Sequence, residues 1–413
     1  MPEIPPQQLN KMFGTIQKPL PAIGEGNTLS ICMIVKNEEE NIARAIRSFL
    51  PVADEIVVND TGSTDNTLNI LRQFPKVRVI QSEWIGDFSY SRNLSIDAAR
   101  CSWIMWMDAD DVIPETMVGD ILKLKTAPLD RAFGFQVVNT QAGMPVGVRF
   151  MQARMFPNHP EIRFERKVHE QIIFSLAHLG LHMFYLETEL WHMGYEDESV
   201  KKEKSRRNLK ILLEDNDIER DPGLMAQLGD SYNILEDWEN AVHWYTKAVE
   251  LPDLPAVNHD LYLALPSNIG RCYQRWGKFE EALSWLEKAL QLDSGHLEAQ
   301  FYKAELFYKN GREDESVPLF EKLLASEMKH SSTGTQFDVL KIYSWKYLCD
   351  LYQKRKKTDL LLETAKKFYE SYPQVLETSL YLGKASISAG LDQEGVQLLT
   401  AVLEQRPDLD VDA

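Results

Sequence analysis

Apolar residues in the first part of the chain fall in short unbroken runs: Leu29–Val35, Glu55–Val58, Val77–Ile80 and Trp103–Met107. A run of about five apolar residues closed by polar ones reads as a strand buried on both faces, as in a parallel sheet. Between the runs lie stretches of helical character, from Lys36–Asn41 to about Leu50, from Asp65 to Phe74, and over Ser89–Ala99. An asparagine of Lys36–Asn41, with its three glutamates, and Asp65 are placed as helix caps. Strand, polar turn and helix in repetition predict right-handed crossovers and a mainly parallel sheet whose strand-end loops open on one edge. Asn37, Glu38, Asp60 and Asp108 then share one cleft. Two further strand-like runs, Phe133–Val138 and Val146–Met155, flank a Gly-Met-Pro turn.

Past Asn208 the period changes to that of paired helices. Leu228-Gly229 followed by Tyr232, Trp238, Ala241, Tyr245 and Ala248 matches Ile269-Gly270 followed by Tyr273, Phe279, Ala282, Leu286 and Ala289. Small residues let two helices approach and aromatics fill between them, which is the tetratricopeptide pattern. Equivalent anchors stand at Lys303-Ala304, Leu348-Cys349 and Leu382-Gly383, with insertions expected at about Leu254–Tyr262 and Lys329–Phe337. Five helix pairs make an all-α solenoid, and its Trp, Tyr and Phe residues read as inter-helix core. The chain is therefore divided into a leader over 1–26, an α/β domain over 27–208 and a repeat domain over 209–413.

The stretch Trp103-Ile-Met-Trp-Met-Asp-Ala-Asp-Asp111 ends an apolar run on three carboxylates. Extended alternation would set Asp108 and Asp110 on one side about 7 Å apart, close enough to serve one divalent cation. Oxygen ligands suit Mg²⁺ or Mn²⁺. An acidic turn after a strand is the plainer reading of the same residues, and context has to choose. Composition narrows the setting. With 413 residues the chain fits two or three domains, and no apolar run approaches the roughly 18 residues of a membrane span. The first 26 residues hold five prolines and no apolar signal core. Cys32, Cys101, Cys272 and Cys349 form no C-x-x-C pair, which fits a reducing cytoplasm. A net charge of −17 disfavours nucleic acid and anionic membrane surfaces as partners.

Four ordered stretches resemble the nucleotide-sugar half of family 2 glycosyltransferases of the GT-A fold: Ile34-Val-Lys-Asn-Glu38, Val58-Asn-Asp-Thr-Gly-Ser-Thr-Asp-Asn-Thr67, Asp87-Phe-Ser-Tyr-Ser-Arg-Asn93 and Asp108-Ala-Asp110. The resemblance implies that Asn37, Glu38 and Asp60 hold the nucleoside, that Arg92 approaches the nucleotide, and that Asp108 and Asp110 hold ribose and metal. The family's commoner form has adjacent aspartates before Gly-Ser; here Asn59-Asp60-Thr61 intervenes. Arg163-Phe-Glu-Arg-Lys-Val-His-Glu170, Leu190-Trp-His-Met-Gly-Tyr195 and Lys204-Ser-Arg-Arg-Asn208 are similar to a sub-branch that includes bacterial peptide S-glycosyltransferases modifying bacteriocins. A late histidine, His192, would complete the metal site with Asp110, and Arg206 and Arg207 would face the anionic donor. Without the resemblance, His169 reads as a core histidine and Lys201–Arg207 as a solvated helix face.

The expectation is a metal-dependent inverting transferase moving a sugar from a UDP-sugar to a peptide or protein side chain recruited by the repeats. Glu170 is the expected base, with His169 and Asp111 as alternatives. A lipid-linked or surface-glycan acceptor, and a scaffold with no activity, are the competing readings. The repeats leave a homodimer open in all three.

Overall fold

The computed structural model describes residues 28–139, 148–194, 198–215, 217–326 and 337–406, so the expected leader, the Gly-Met-Pro turn, Tyr195 and most of the second expected insertion lie outside them. The described residues form two compact units that meet in sequence at Ile218 and Glu219. The boundary expected at Asn208 falls inside a helix, Glu198–Leu213, that belongs to the first unit.

In the first unit the chain runs β1 (Leu29–Val35), α1 (Ile42–Phe49), β2 (Glu55–Asp60), α2 (Thr67–Leu71), β3 (Val77–Gln81), α3 (Phe88–Asp97), β4 (Trp103–Trp106), β5 (Asp111–Val112), α4 (Glu115–Leu124), β6 (Arg131–Asn139), β7 (Val148–Pro157), α5 (Ile173–His178), β8 (His182–His192) and α6 (Glu198–Leu213). The sheet order is β3-β2-β1-β4-β7-β6-β8-β5. Its first four strands are parallel throughout, and β7 joins antiparallel to β4. Alternation along β1 sends Leu29, Ile31, Met33 and Val35 to a core shared with Ile42, Ala45, Ile46 and Phe49 of α1 and with Met117 and Ile121 of α4. Cys32 faces the opposite core, with Ile96 of α3, Trp106, Phe164 and Leu176. Each large side chain so buried stabilises the fold by about 1.5–3 kcal/mol.

Two helix ends differ from expectation. Asn41 does not cap α1: its side chain bonds Glu38 and Arg44, and the helix starts at Ile42. α2 stops at Leu71 rather than Phe74, because the proline after Phe74 disfavours helical geometry there. Asp65 does reach the start of α2, accepting from the Thr67 N–H at 3.0 Å.

The second unit is helical: α7 (Pro222–Ile234) with α8 (Trp238–Val249), α10 (His259–Arg275) with α11 (Phe279–Leu292), α12 (Leu297–Lys309) with α13 (Glu313–Leu324), α14 (Phe337–Lys354) with α15 (Thr358–Ser371), and α16 (Leu376–Ser388) with α17 (Asp392–Gln405). A short helix, α9 (Leu254–Val257), occupies the first expected insertion. Asp221 caps α7 ahead of Pro222, accepting from Gly223 and Leu224. First helices of successive pairs touch one another, α10 on α12, α12 on α14 and α14 on α16, so they form one continuous layer. Among the described residues no helix is long and apolar enough to cross a membrane.

The small anchors set the spacing within pairs. A Cβ on Gly229 would stand 2.4 Å from the ring of Tyr245, which is itself buried. Gly229→Ala is expected to destabilise the repeat unit by about 1–3 kcal/mol through overpacking. Urea unfolding followed by circular dichroism checks this, and an unchanged midpoint would show that α7 and α8 do not need the contact.

Candidate active site

β4 ends at Trp106, and the chain turns rather than continuing extended: the Asp111 N–H donates to the Asp108 carbonyl at 3.1 Å. The expected alternation of Asp108 and Asp110 along a strand is therefore replaced by a turn. The turn leads into β5, which pairs with the end of β8 and sets Asp111 opposite His192. One ligand atom from each of Asp108, Asp110, Asp111 and His192 then lies within 4.8 Å of the others.

Within this cluster the carboxylates differ. Asp111 is 0% exposed; its Oδ2 accepts from Arg154 Nη1 at 2.9 Å and from the Asp108 N–H at 2.7 Å, while Oδ1 is 2.9 Å from His192 Nδ1. Arg154, on β7, is 2% exposed, donates also to the Trp106 carbonyl and lies 3.7 Å over the Trp106 ring. Asp108 accepts from Arg92 Nη2 at 2.7 Å. Burial alone would raise its carboxyl, but Arg92 and Arg154 carry it below the usual carboxylate range. Burial and the neighbouring carboxylates raise Asp110 despite His192. Burial likewise works against the imidazolium of His192, yet the hydrogen bond to Asp111 and the charges of Asp110, Asp111 and Asp108 push it up to about 9.

A second set of contacts ties the loop at 164–171 to α3. Asp87 caps that helix through Tyr90 N–H, and Asn93 holds Phe164 by both backbone groups. The Phe88 N–H donates to the Lys167 carbonyl at 2.9 Å. Arg92 completes the strap, its Nε donating to Glu170 Oε1 at 2.5 Å. The loop is bent by two left-handed residues, Arg166 (φ 76°) and His169 (φ 52°), a backbone cost of about 1–3 kcal/mol each that such sites tend to carry. Arg92 lies under the Trp106 and Phe164 rings, and its buried Nη1 finds no acceptor among the described residues.

A cavity of about 310 Å³ opens over these groups, lined among others by Glu38, Thr61, Trp84, Phe88, Arg92, Asp108, Asp110, His192, Lys204 and Arg207. Of the expected site residues, Glu38, Arg92, Asp108, Asp110, His192 and Arg207 meet there. Burial raises the Glu38 carboxyl. The others stand elsewhere. Asp60 is buried and spends Oδ1 on the Gly62 and Ser63 N–H groups, shaping the turn. Asn37, at φ 57°, lines a neighbouring hollow and accepts from Thr64 N–H. Asp111 is sealed beneath the cluster, Glu170 is tied to Arg92, and Arg206 and His169 are exposed, outside the cavity lining.

Arg154 and Trp84 escaped the sequence reading, and Lys204 and Gly194 entered it only as members of motifs, without a role of their own. Arg154 left a trace, as a lone charge in the apolar strand Phe150–Phe156, which demands a buried counter-charge.

The cluster fits a divalent cation. Its donors are carboxylate oxygens and an imidazole, and Gly194 leaves room beside them: a Cβ there would stand 2.4 Å from Asp110 Oδ2. A cation on His192 must displace the proton held with a pKa of about 9. Mn²⁺ affinity should accordingly rise about tenfold per pH unit from pH 6 to 8 and level off above 9, with further weakening at lower pH as Asp110 also takes a proton. Calorimetric titration of Mn²⁺ across that range reads the slope; an affinity flat with pH would remove His192 from the ligand set.

With the geometry in view, comparison with known proteins is direct. The glycosyl transferase family 2 model matches residues 30–180, and tetratricopeptide models match 223–294 and 277–332. A TPR repeat-containing protein of Synechococcus elongatus is 30% identical over 277 residues, 64% of this chain and 66% of its own. The glycosyltransferase SunS of Bacillus subtilis is 30% identical over 227 residues, 54% of this chain and 53% of its own. The chain thus spans between about half and just under two thirds of these relatives. Among solved structures, S. aureus TarS aligns at a TM-score of 0.36 and 14% identity over 62% of this chain and 54% of that one, a likeness too slight to add to the sheet order already described. The chain carries a family 2 glycosyltransferase domain followed by C-terminal tetratricopeptide repeats.

Proposed function

We propose that the chain is a metal-dependent, inverting glycosyltransferase that moves a sugar, most simply a hexose, from a UDP-sugar to a peptide or protein side chain recruited by its repeats. The observation that carries this reading is the cluster of Asp108, Asp110, Asp111 and His192 at the strand ends, on the floor of a cavity lined by both aromatic and basic side chains. Open α/β sheets take their ligands at that edge. Trp84 and Phe88 offer faces to a base, Lys204 and Arg207 offer charge to a diphosphate, and Glu38 offers an acceptor for nucleoside donors.

Asp110 and His192 would hold Mg²⁺ or Mn²⁺, whose chemistry when bound is to neutralise the departing diphosphate. Asp108, kept ionised by Arg92, is then available to a ribose hydroxyl. Asp111 has a positioning role, because both its oxygens are engaged and no solvent reaches it. Glu170 is the base. Arg92 fixes Oε1, while Oε2 has no hydrogen-bond partner among the described residues and can accept the proton of the attacking group. Attack opposite the leaving diphosphate inverts the anomeric carbon. Four cysteines without a disulfide agree with action in a reducing cytoplasm.

Intact-mass analysis of peptide acceptors incubated with a panel of UDP- and GDP-sugars should show the gain of one sugar with one donor, and only with Mg²⁺ or Mn²⁺. Equal transfer in EDTA would end the metal assignment, and transfer to glycan acceptors alone would end the polypeptide one. Glu170→Gln keeps the bond from Arg92 but loses basicity, so kcat should fall about 10²- to 10⁴-fold with donor affinity nearly unchanged. A larger loss in His169→Ala than in Glu170→Gln would move the base to the neighbouring histidine.

A further inference from the structure

Three of the five first helices of the repeat unit share a local feature that is replaced by a basic residue on the other two, Arg271 on α10 and Lys384 on α16. On α7, α12 and α14 the residue after the small anchor is acidic: Asp230, Glu305 and Asp350. Each accepts a tyrosine hydroxyl, from Tyr245 at 2.5 Å, Tyr347 at 2.6 Å and Tyr381 at 2.9 Å. On α10 the same position is Arg271, whose guanidinium lies 5.0 Å from the ring centre of Tyr302. Arg275, one turn on, lies 5.5 Å from that of Trp238.

Among the described residues neither arginine makes an ion pair or a side-chain hydrogen bond, in a chain with 62 acidic residues and a net charge of −17. Burial and the charge of Arg271 together pull Arg275 below its ordinary range. The carboxylates on either side are engaged: Asp230 by Tyr245, and Glu305 by Tyr347, Gln274 and Lys309. Along the same face of α10, Ser267 Oγ and Gln274 Oε1 are buried with no partner among the described residues. Residues at 267, 271, 274 and 275 recur at i, i+4, i+7 and i+8 and so line one stripe of the helix. That helix belongs to the continuous layer of first helices, the surface on which repeats of this kind take extended partners.

We propose that Arg271 and Arg275 are the docking point for an extended peptide segment bearing an acidic side chain. One carboxylate can accept from both guanidinium groups, and the rings of Tyr302 and Trp238 hold the two forks in place at little entropic cost. This deepens the recruiting role given to the repeats, but it is read by binding alone, so its failure is distinct from a failure of sugar transfer.

The test uses the full chain and a fluorescein-labelled Gly-Ser-Glu repeat peptide, with the same peptide carrying Gln for Glu, and a short oligonucleotide as the phosphate-bearing control. Anisotropy should show binding of the Glu peptide that weakens with added salt, and binding at least about tenfold weaker for the Gln peptide. R275Q, at an exposed position, should lose about tenfold, R271Q at least as much, and R271K/R275K should keep part of the affinity. UDP binding should stay at the parental level in all of them. Equal affinity for the Glu and Gln peptides, parental binding in R275Q, no binding of the Glu peptide by the parent, or tighter binding of the oligonucleotide at the same arginines would each overturn the proposal.

Discussion

A carboxylate with no access to water organises the first unit. Asp111 is held between Arg154 and His192 and receives the Asp108 N–H, so one buried charge fixes a strand, a histidine and the turn that carries two further aspartates. Removing a partner from a buried pair of this kind costs about 3–5 kcal/mol, far more than a surface ion pair contributes. The two halves of the sheet have different tasks as a result. Parallel strands bring the loops of β1, β2 and β4 to one edge, and the strands beyond β4 supply Arg154 from β7 and His192 from β8. Neither half alone assembles the cluster.

Charge balance explains why so many acids tolerate one another. Glu38, Asp108, Asp110, Asp111 and Glu170 gather around Arg92, Arg154 and a His192 that takes up a proton. Both arginines also lie against Trp106, which replaces water around the guanidinium groups with a polarisable face. Arg92 is shared between Asp108 and Glu170, so it ties the strand-end loop to the loop at 164–171.

Much of this was legible from residues. The apolar runs, the polar stretches that close them and the small anchors at Gly229, Ile269-Gly270 and Leu382-Gly383 gave the parallel half of the sheet and the paired helices, because burial and periodicity are local properties. Partnerships between distant strands were not legible. Nothing in the neighbourhood of Asp111 announces that its counter-charge is Arg154, 43 positions on. The pairing of the two-residue β5 with β8 decides where His192 points, and a strand that short leaves no periodic signal. Asp60 shows the same limit from the other side: a polar residue at a strand end reads as a ligand, and the sequence does not announce that its Oδ1 also accepts from the turn it closes.

The central claim is that the buried cluster and the cavity above it form one site for a nucleotide held through a divalent cation. Calorimetric titration of UDP into the parent chain, with Mn²⁺ and then with EDTA, tests it most directly. The account predicts one binding event per chain that tightens at least about tenfold with Mn²⁺, and that loses this gain in Asp110→Asn. UDP affinity that is the same with Mn²⁺ and with EDTA would contradict it.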